Sequence, residues 1–232
     1  MAEMALGYGS EYQLFRFLGH HRKFLNREIT NVLEFLGEIS WLDYPPNYDR
    51  LSLDGELKDV ECFENQNISE QWKKYWPQSG NSQCWDGIFQ INDTWYFVEA
   101  KAHASEVKSS CGASSDSSKA TIKNAFNETI SFVKSTKTSD YWISKDCKSY
   151  QLANRLAFIN FCNKNQINAK LVYINFINGY DKPGTSGALN VKSKEDWKNI
   201  WKEEYKDLGI SEEQLKGILY HVYIDCSSKE LK

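Results

Sequence analysis

The sequence predicts an α/β sandwich built on a mixed β-sheet, and three observations carry that expectation. Residues 84–91 and 94–102 are rich in apolar and aromatic side chains and flank an Asn92-Asp93 pair, which reads as a β-hairpin. Residues 169–177 form a continuous apolar run, the pattern of a strand buried on both faces. Segments of helical period surround these, in the order helices, hairpin, helix, helix, strand, helix, strand.

Each element has its own signal. Residues 10–26 carry Leu14, Phe17, Leu18, His21, Phe24 and Leu25 at helical spacing, with Ser10 as the expected N-cap. A second helix is expected over 27–38, ending near Gly37, before Tyr44-Pro45-Pro46 forces an extended loop. Residues 54–66 suit a short strand at most. A short helix over 69–76 should stop at Pro77. The Ser-rich stretch 104–118 reads as a mobile loop leading to a helix over 117–135, whose stripe is Ile122, Ala125, Phe126, Ile130 and Val133. Residues 148–165 are apolar nearly all round, as in a buried helix. After a Gly-containing loop over 178–190, Ser193 caps a helix bearing Trp197, Ile200 and Trp201. A short helix near 211–217 and a strand over 218–226 close the chain. The expected organisation is one domain over 1–232: N-terminal helices 8–38, a core of about 50–180, and C-terminal helices and strand 190–226.

Composition bounds the function. Eight Trp and 14% aromatic residues supply a substantial core, so the chain is not disordered as a whole. A net charge of −3 argues against a generally basic nucleic-acid binder while leaving room for a local basic groove. The six cysteines form no CxxC pair, which argues against zinc and for free thiols in a reducing compartment. No basic-then-apolar leader and no run of about 18 apolar residues is visible, so a cytoplasmic, bacterial-type protein is expected.

The hairpin carries the chemistry. Asn and Asp both tolerate positive φ, so a two-residue turn at Asn92-Asp93 is expected, pairing Ile91 with Thr94 and, further along, Gly87 with Val98 and Asp86 with Glu99. Alternation then places Asp86, Ile88, Gln90, Trp95, Phe97, Glu99 and Lys101 on one face. Trp85, Phe89, Ile91, Tyr96, Val98 and Ala100 fall on the other. Two carboxylates facing each other across a ladder repel, which a shared proton or a divalent cation relieves. Hard oxygen ligands suit Mg²⁺ or Mn²⁺, and Lys101 could hold a water or a developing oxyanion beside them. The bland alternative is a structural ion pair.

Asp86, twelve intervening residues, then Glu99-Ala100-Lys101 resembles the signature of the PD-(D/E)xK phosphodiesterases, the restriction-endonuclease-like nucleases. The resemblance covers about 84–135, and Trp85 stands where the motif name has Pro. It implies a restriction-endonuclease-like mixed sheet with a catalytic hairpin flanked by helices. It implies Asp86, Glu99 and the Ala100 carbonyl as ligands of Mg²⁺ or Mn²⁺, and Lys101 as the residue that positions the attacking water. It also implies a further acid from the preceding helix. Glu11 is the candidate, sharing a face with Leu14 and Leu18, although a first-turn acid is equally explained by the helix dipole; Glu34 and Glu38 are weaker alternatives.

Other polar positions invite the same question. Gln151 and Arg155 share one face of an otherwise apolar helix, as do Tyr150 and Asn154, and buried polar groups need partners. Gln151, Asn154, Arg155 and His103 are therefore candidates for contact with the site or the substrate. The functional reading is a metal-dependent nuclease acting on DNA in preference to RNA, with a homodimer as one arrangement. The alternative is an inactive module of the same fold that binds nucleic acid or a protein. Glycosidase-like acid–base work by the paired acids fits less well, because the adjacent lysine suits a metal better than a sugar ring.

Overall fold

The computed structural model describes residues 8–35, 37–42, 57–78, 83–180 and 190–228. The helices are α1 (Ser10–His20), α2 (Arg22–Leu33), α3 (Gln66–Tyr75), α4 (Asp116–Val133), α5 (Ser139–Ile143), α6 (Tyr150–Lys164), α7 (Lys194–Leu208) and α8 (Glu212–Leu215). The strands are β1 (Ser40–Trp41), β2 (Leu57–Lys58), β3 (Cys84–Trp85), β4 (Gly87–Ile91), β5 (Thr94–Lys101), β6 (Ala169–Ile177) and β7 (Leu219–Asp225). Five strands form one mixed sheet in the order β1-β4-β5-β6-β7. β4 runs antiparallel to its neighbours β1 and β5; β5, β6 and β7 run parallel. β2 and β3 form a separate antiparallel pair.

Helices cover both faces of the sheet. On one side Leu14, Phe17 and Leu18 of α1 and Leu25 and Ile29 of α2 pack against Phe89, Val98, Ala100, Ile174 and Val222. On the other, α3, α4, α6 and α7 pack Trp72, Phe126, Phe158 and Trp197 over Ile88, Phe97, Leu171 and Tyr173. β6 lies between these layers and is buried along almost its whole length, which explains its unbroken apolar sequence.

Several boundaries differ from the sequence expectation. The first helix ends at His20, where the Arg22 guanidinium takes up the Leu18 carbonyl at 2.9 Å, and a new helix starts at once. Gly9 rather than Ser10 stands at the N-cap, and the Ser10 hydroxyl instead donates to Glu106 at 3.2 Å. α2 closes at Leu33 with Glu34 left-handed, short of Gly37. The extended loop expected at Tyr44-Pro45-Pro46 and most of the loop over 178–190 lie outside the described residues. The expected Ser193 cap does form, accepting from the Asp196 amide, and Gly209 ends α7 at φ 66°. A Cβ at Gly209 would meet the Thr136 hydroxyl at 2.5 Å.

Among the described residues no helix is long and apolar enough to cross a membrane. The six cysteines are free thiols.

Candidate functional site

The turn at Asn92-Asp93 forms with Asn92 at φ 52°, and the ladder follows in the expected register from Ile91–Thr94 to Gly87–Val98. The expected Asp86–Glu99 pair does not form. The chain bends at Asp86, between β3 and β4, and the Asp86 amide donates to the Val98 carbonyl at 3.1 Å, one residue short of Glu99. Gly87 stands at this bend; a Cβ there would meet the Trp41 ring at 3.1 Å.

Two consequences follow from the bend. Side-chain alternation is broken, so Trp85 lies on the Glu99 side of the sheet, its ring 5.0 Å from Phe97 and 4.9 Å from Phe158. The Asp86 carboxylate also turns along the strand edge, where its Oδ2 accepts the Ala100 amide at 2.6 Å. That amide joins Ala100 to Glu99. In an extended strand the N–H and C=O of one residue point to the same side, so the Ala100 carbonyl also faces the Asp86 edge. The ladder geometry therefore gathers the Asp86 carboxylate, the Ala100 carbonyl and the Glu99 backbone, without forcing the two carboxylates face to face.

Glu99 is enclosed. Its Oε1 accepts from Lys101 Nζ at 2.7 Å and Gln151 Nε2 at 2.9 Å. Its Oε2 accepts from Arg155 Nε at 2.9 Å and Nη2 at 2.8 Å. Exposure is 4% for Glu99, 5% for Lys101 and 8% for Arg155. Burial alone would push the Glu99 carboxyl up, but the charges of Arg155 and Lys101 outweigh it and hold the group below the ordinary carboxylate range. Arg155 shows the mirror effect: burial favours losing its charge, and Glu99 more than restores it. The guanidinium carbon sits 4.6 Å from the centre of the Trp85 ring, a cation–π contact.

α6 supplies this clamp because its start is pinned. The Ser109 hydroxyl accepts the Gln151 amide at 2.6 Å, and the Ser109 carbonyl accepts the Tyr150 amide at 3.3 Å. Asp207 of α7 accepts from the Lys148 and Ser149 amides at 2.8 and 3.0 Å and from the Ser149 hydroxyl at 2.9 Å. The Tyr141 hydroxyl closes on the other Asp207 oxygen at 2.5 Å. The Ser-rich stretch expected to be a mobile loop thus begins as a 3-10 turn, Ala104–Val107, and then anchors α6 through Ser109.

The remaining candidates stand elsewhere. Glu11 is in the first turn of α1, a helix whose apolar side packs on the sheet face opposite Glu99. It is not among the partners that hold Glu99. His103 stands two residues past the end of β5, with Nε2 3.3 Å from Glu106, Nδ1 2.8 Å from the Ser105 hydroxyl and its ring 4.2 Å from Tyr180. Glu106 accepts from the Ala102 and His103 amides at 2.5 and 3.2 Å, so this cluster caps the strand end. The Asn154 carbonyl accepts from Gln83 at 3.4 Å, while its side-chain Oδ1 is buried without a partner.

Three titratable groups gave no sequence signal. Asp59, following β2, has its carboxyl pushed up to about 6 by burial. Glu204 of α7 is 2% exposed and pushed up to about 7 by burial. His221 of β7 is pushed down to about 3 by burial.

The oxygen donors suit a small hard cation: two carboxylates and a peptide carbonyl. Among the described residues no group of three or more His, Cys, Asp and Glu is gathered for a metal, so the Ala100 carbonyl would have to complete the set. Comparison with protein-family models, with curated proteins and with solved structures finds no match.

Proposed function

We propose that this chain is a metal-dependent phosphodiesterase of the PD-(D/E)xK, restriction-endonuclease-like kind, hydrolysing nucleic acid, DNA ahead of RNA. The observation that carries the reading is that the Asp86 carboxylate takes the Ala100 amide, the peptide next to Glu99, while the Glu99 carboxylate holds Lys101, all at one end of the β4–β5 hairpin. The five-stranded mixed sheet flanked by helices is compatible with that fold. Asp86, Glu99 and the Ala100 carbonyl would hold Mg²⁺ or Mn²⁺. The ion, when bound, neutralises charge on the phosphodiester and makes water a better nucleophile.

The protein's own groups do the rest. Lys101, held 2.7 Å from Glu99, donates toward the attacking water or the phosphate oxygens. Gln151 fixes the Glu99 carboxylate from α6, and its backbone is itself fixed by Ser109. The apolar packing of Phe97, Trp85 and Phe158 keeps bulk water from the acid.

A second reading is a catalytically inactive module of this fold that binds nucleic acid or a protein. It is favoured by the saturation of Glu99, whose two oxygens each accept two hydrogen bonds in a closed environment. A cleavage assay on mixed single- and double-stranded DNA and RNA, with Mg²⁺ or Mn²⁺ and with EDTA, separates the two. Metal-dependent cleavage by the native protein should fall at least about 100-fold in Glu99→Ala and Lys101→Ala. Equal cleavage by all three proteins, or none by the native one, removes the enzymatic reading.

A further inference from the structure

We infer that Arg155 is a built-in competitor for a cation on Glu99, with the Asp59 carboxylate as its second resting place. The inference rests on the metal-site reading above and adds how access to that site is controlled.

At rest the cluster is charge-balanced. Asp86 and Glu99 supply two negative charges, and Lys101 and Arg155 two positive ones, so a divalent ion would enter a neutral set. Glu99 Oε2 is the oxygen that a cation could take only from Arg155, since both of its hydrogen bonds come from that guanidinium. Oε1 is held by one cation and one neutral amide, a weaker hold on the charge. Burial strengthens the exclusion, because little water is present to stabilise Arg155 once it is displaced.

The structure provides somewhere for the displaced charge to go. Asp59 Oδ1 is buried and has no hydrogen-bond partner. A carboxylate oxygen left this way costs free energy, and an arginine would satisfy it. After burial, the Trp72 indole and the Gln83 backbone bear on the Asp59 carboxyl, then the charges of Glu61 and Arg155, so Arg155 is the cation that acts on it. Gln83 ties the two ends together: its carbonyl accepts the Asp59 amide at 2.9 Å, and its side chain reaches the Asn154 carbonyl at 3.4 Å, one residue before Arg155. The Arg155 guanidinium rests on the Trp85 ring, and Trp85 pairs with Leu57, two residues before Asp59, so a planar guanidinium can turn toward Asp59 over that ring. Arg155 pairs with Glu99 when no ion is bound and with Asp59 when one is.

Manganese binding, read as loss of the free-ion signal in electron paramagnetic resonance, tests this with Mn²⁺ alone and no substrate. Arg155→Met should bind Mn²⁺ at least about tenfold more tightly than the native protein, the effect of removing charge-assisted hydrogen bonds that compete for the same oxygen. Asp59→Asn should bind it several-fold more weakly, and Glu99→Gln should abolish tight binding. Asp59 is half-buried, so its variant keeps the test open even if Arg155→Met does not fold by circular dichroism. Unchanged or weaker binding in folded Arg155→Met, or unchanged binding in Asp59→Asn, overturns the competitor role and leaves the metal site standing. Absence of Mn²⁺ binding in every protein overturns both.

Discussion

Glu99 costs free energy to bury and is held by charge. Taking a carboxylate and two cations out of water is expensive, and the four hydrogen bonds on Glu99 offset that cost only while all partners are present. Glu99→Gln strands Lys101 and Arg155 as buried positive charges and should destabilise the fold by about 3–5 kcal/mol in urea unfolding. Adding Arg155→Met should cost less than the sum of the single changes, because the two residues share one interaction. Since the folded-state Glu99 carboxyl is held below its ordinary range, its contribution is present above the unfolded value of about 4.3 and is lost as pH falls through the depressed one. At this scale the sequence was a good guide where the signal was local. Gln151 and Arg155 announced themselves as polar residues four apart on an apolar helix, and both reach Glu99. Trp85 was assigned to the wrong face because strict alternation was carried through Asp86, and no residue type there marks the bend except Gly87. Asp59 and Glu204 were invisible, since their burial is created by segments distant in sequence.

α6 shows how an element is placed by residues outside it. Its apolar surface fixes its depth, but its axial position depends on Ser109 and on Asp207, which collects three donors from residues 148 and 149. Asp207→Ala leaves the Lys148 and Ser149 amides and the Tyr141 hydroxyl without that acceptor, a loss of about 1–3 kcal/mol. Native-state hydrogen exchange should show the amides of residues 148–151 opening faster, while those of β6 stay protected. Uniform change across the protein would mean that Asp207 serves global stability and not the seating of α6. Elements with strong periodicity or capping chemistry were legible: β6 begins and ends where its apolar run does, and α7 starts from its Ser193 cap. α5 was missed because five residues are too few for a periodic signal. The α1–α2 break, expected at 26–27, falls instead at His21, where no proline or turn pair marks it and the Arg22 side chain takes up the Leu18 carbonyl.

Across the whole molecule, the helix-covered face that carries Glu99 also carries a polar row through the parallel strands. Glu99, Tyr173 and His221 stand in register on β5, β6 and β7. His221 closes the row among the rings of Tyr173, Trp201, Tyr205 and Tyr223, with the Tyr205 hydroxyl on Nε2 and Asn175 on Nδ1 at 3.2 Å. Held down to about 3, it stays neutral, so the row gains no positive charge beyond Lys101 and Arg155 near neutral pH. In the unfolded chain His221 protonates near 6.5, so its folded environment weakens stability as pH falls from about 6.5 toward 3. Glu204, on α7 beside Ser149 and Lys108, acts with the opposite sign. Its carboxyl, pushed up to about 7, prefers the neutral form in the fold, while the unfolded chain ionises near 4.3. The folded state therefore binds the extra proton between those values, and stability is lost as pH rises through that window. Its Oε2 has no hydrogen-bond partner to support a charge. Glu204→Gln copies the protonated acid. It should raise the urea midpoint at pH 8 by an amount equivalent to about 1–3 kcal/mol and leave the midpoint at pH 4 nearly unchanged. An equal shift at both values would assign the gain to packing and remove Glu204 as the source of the loss at high pH.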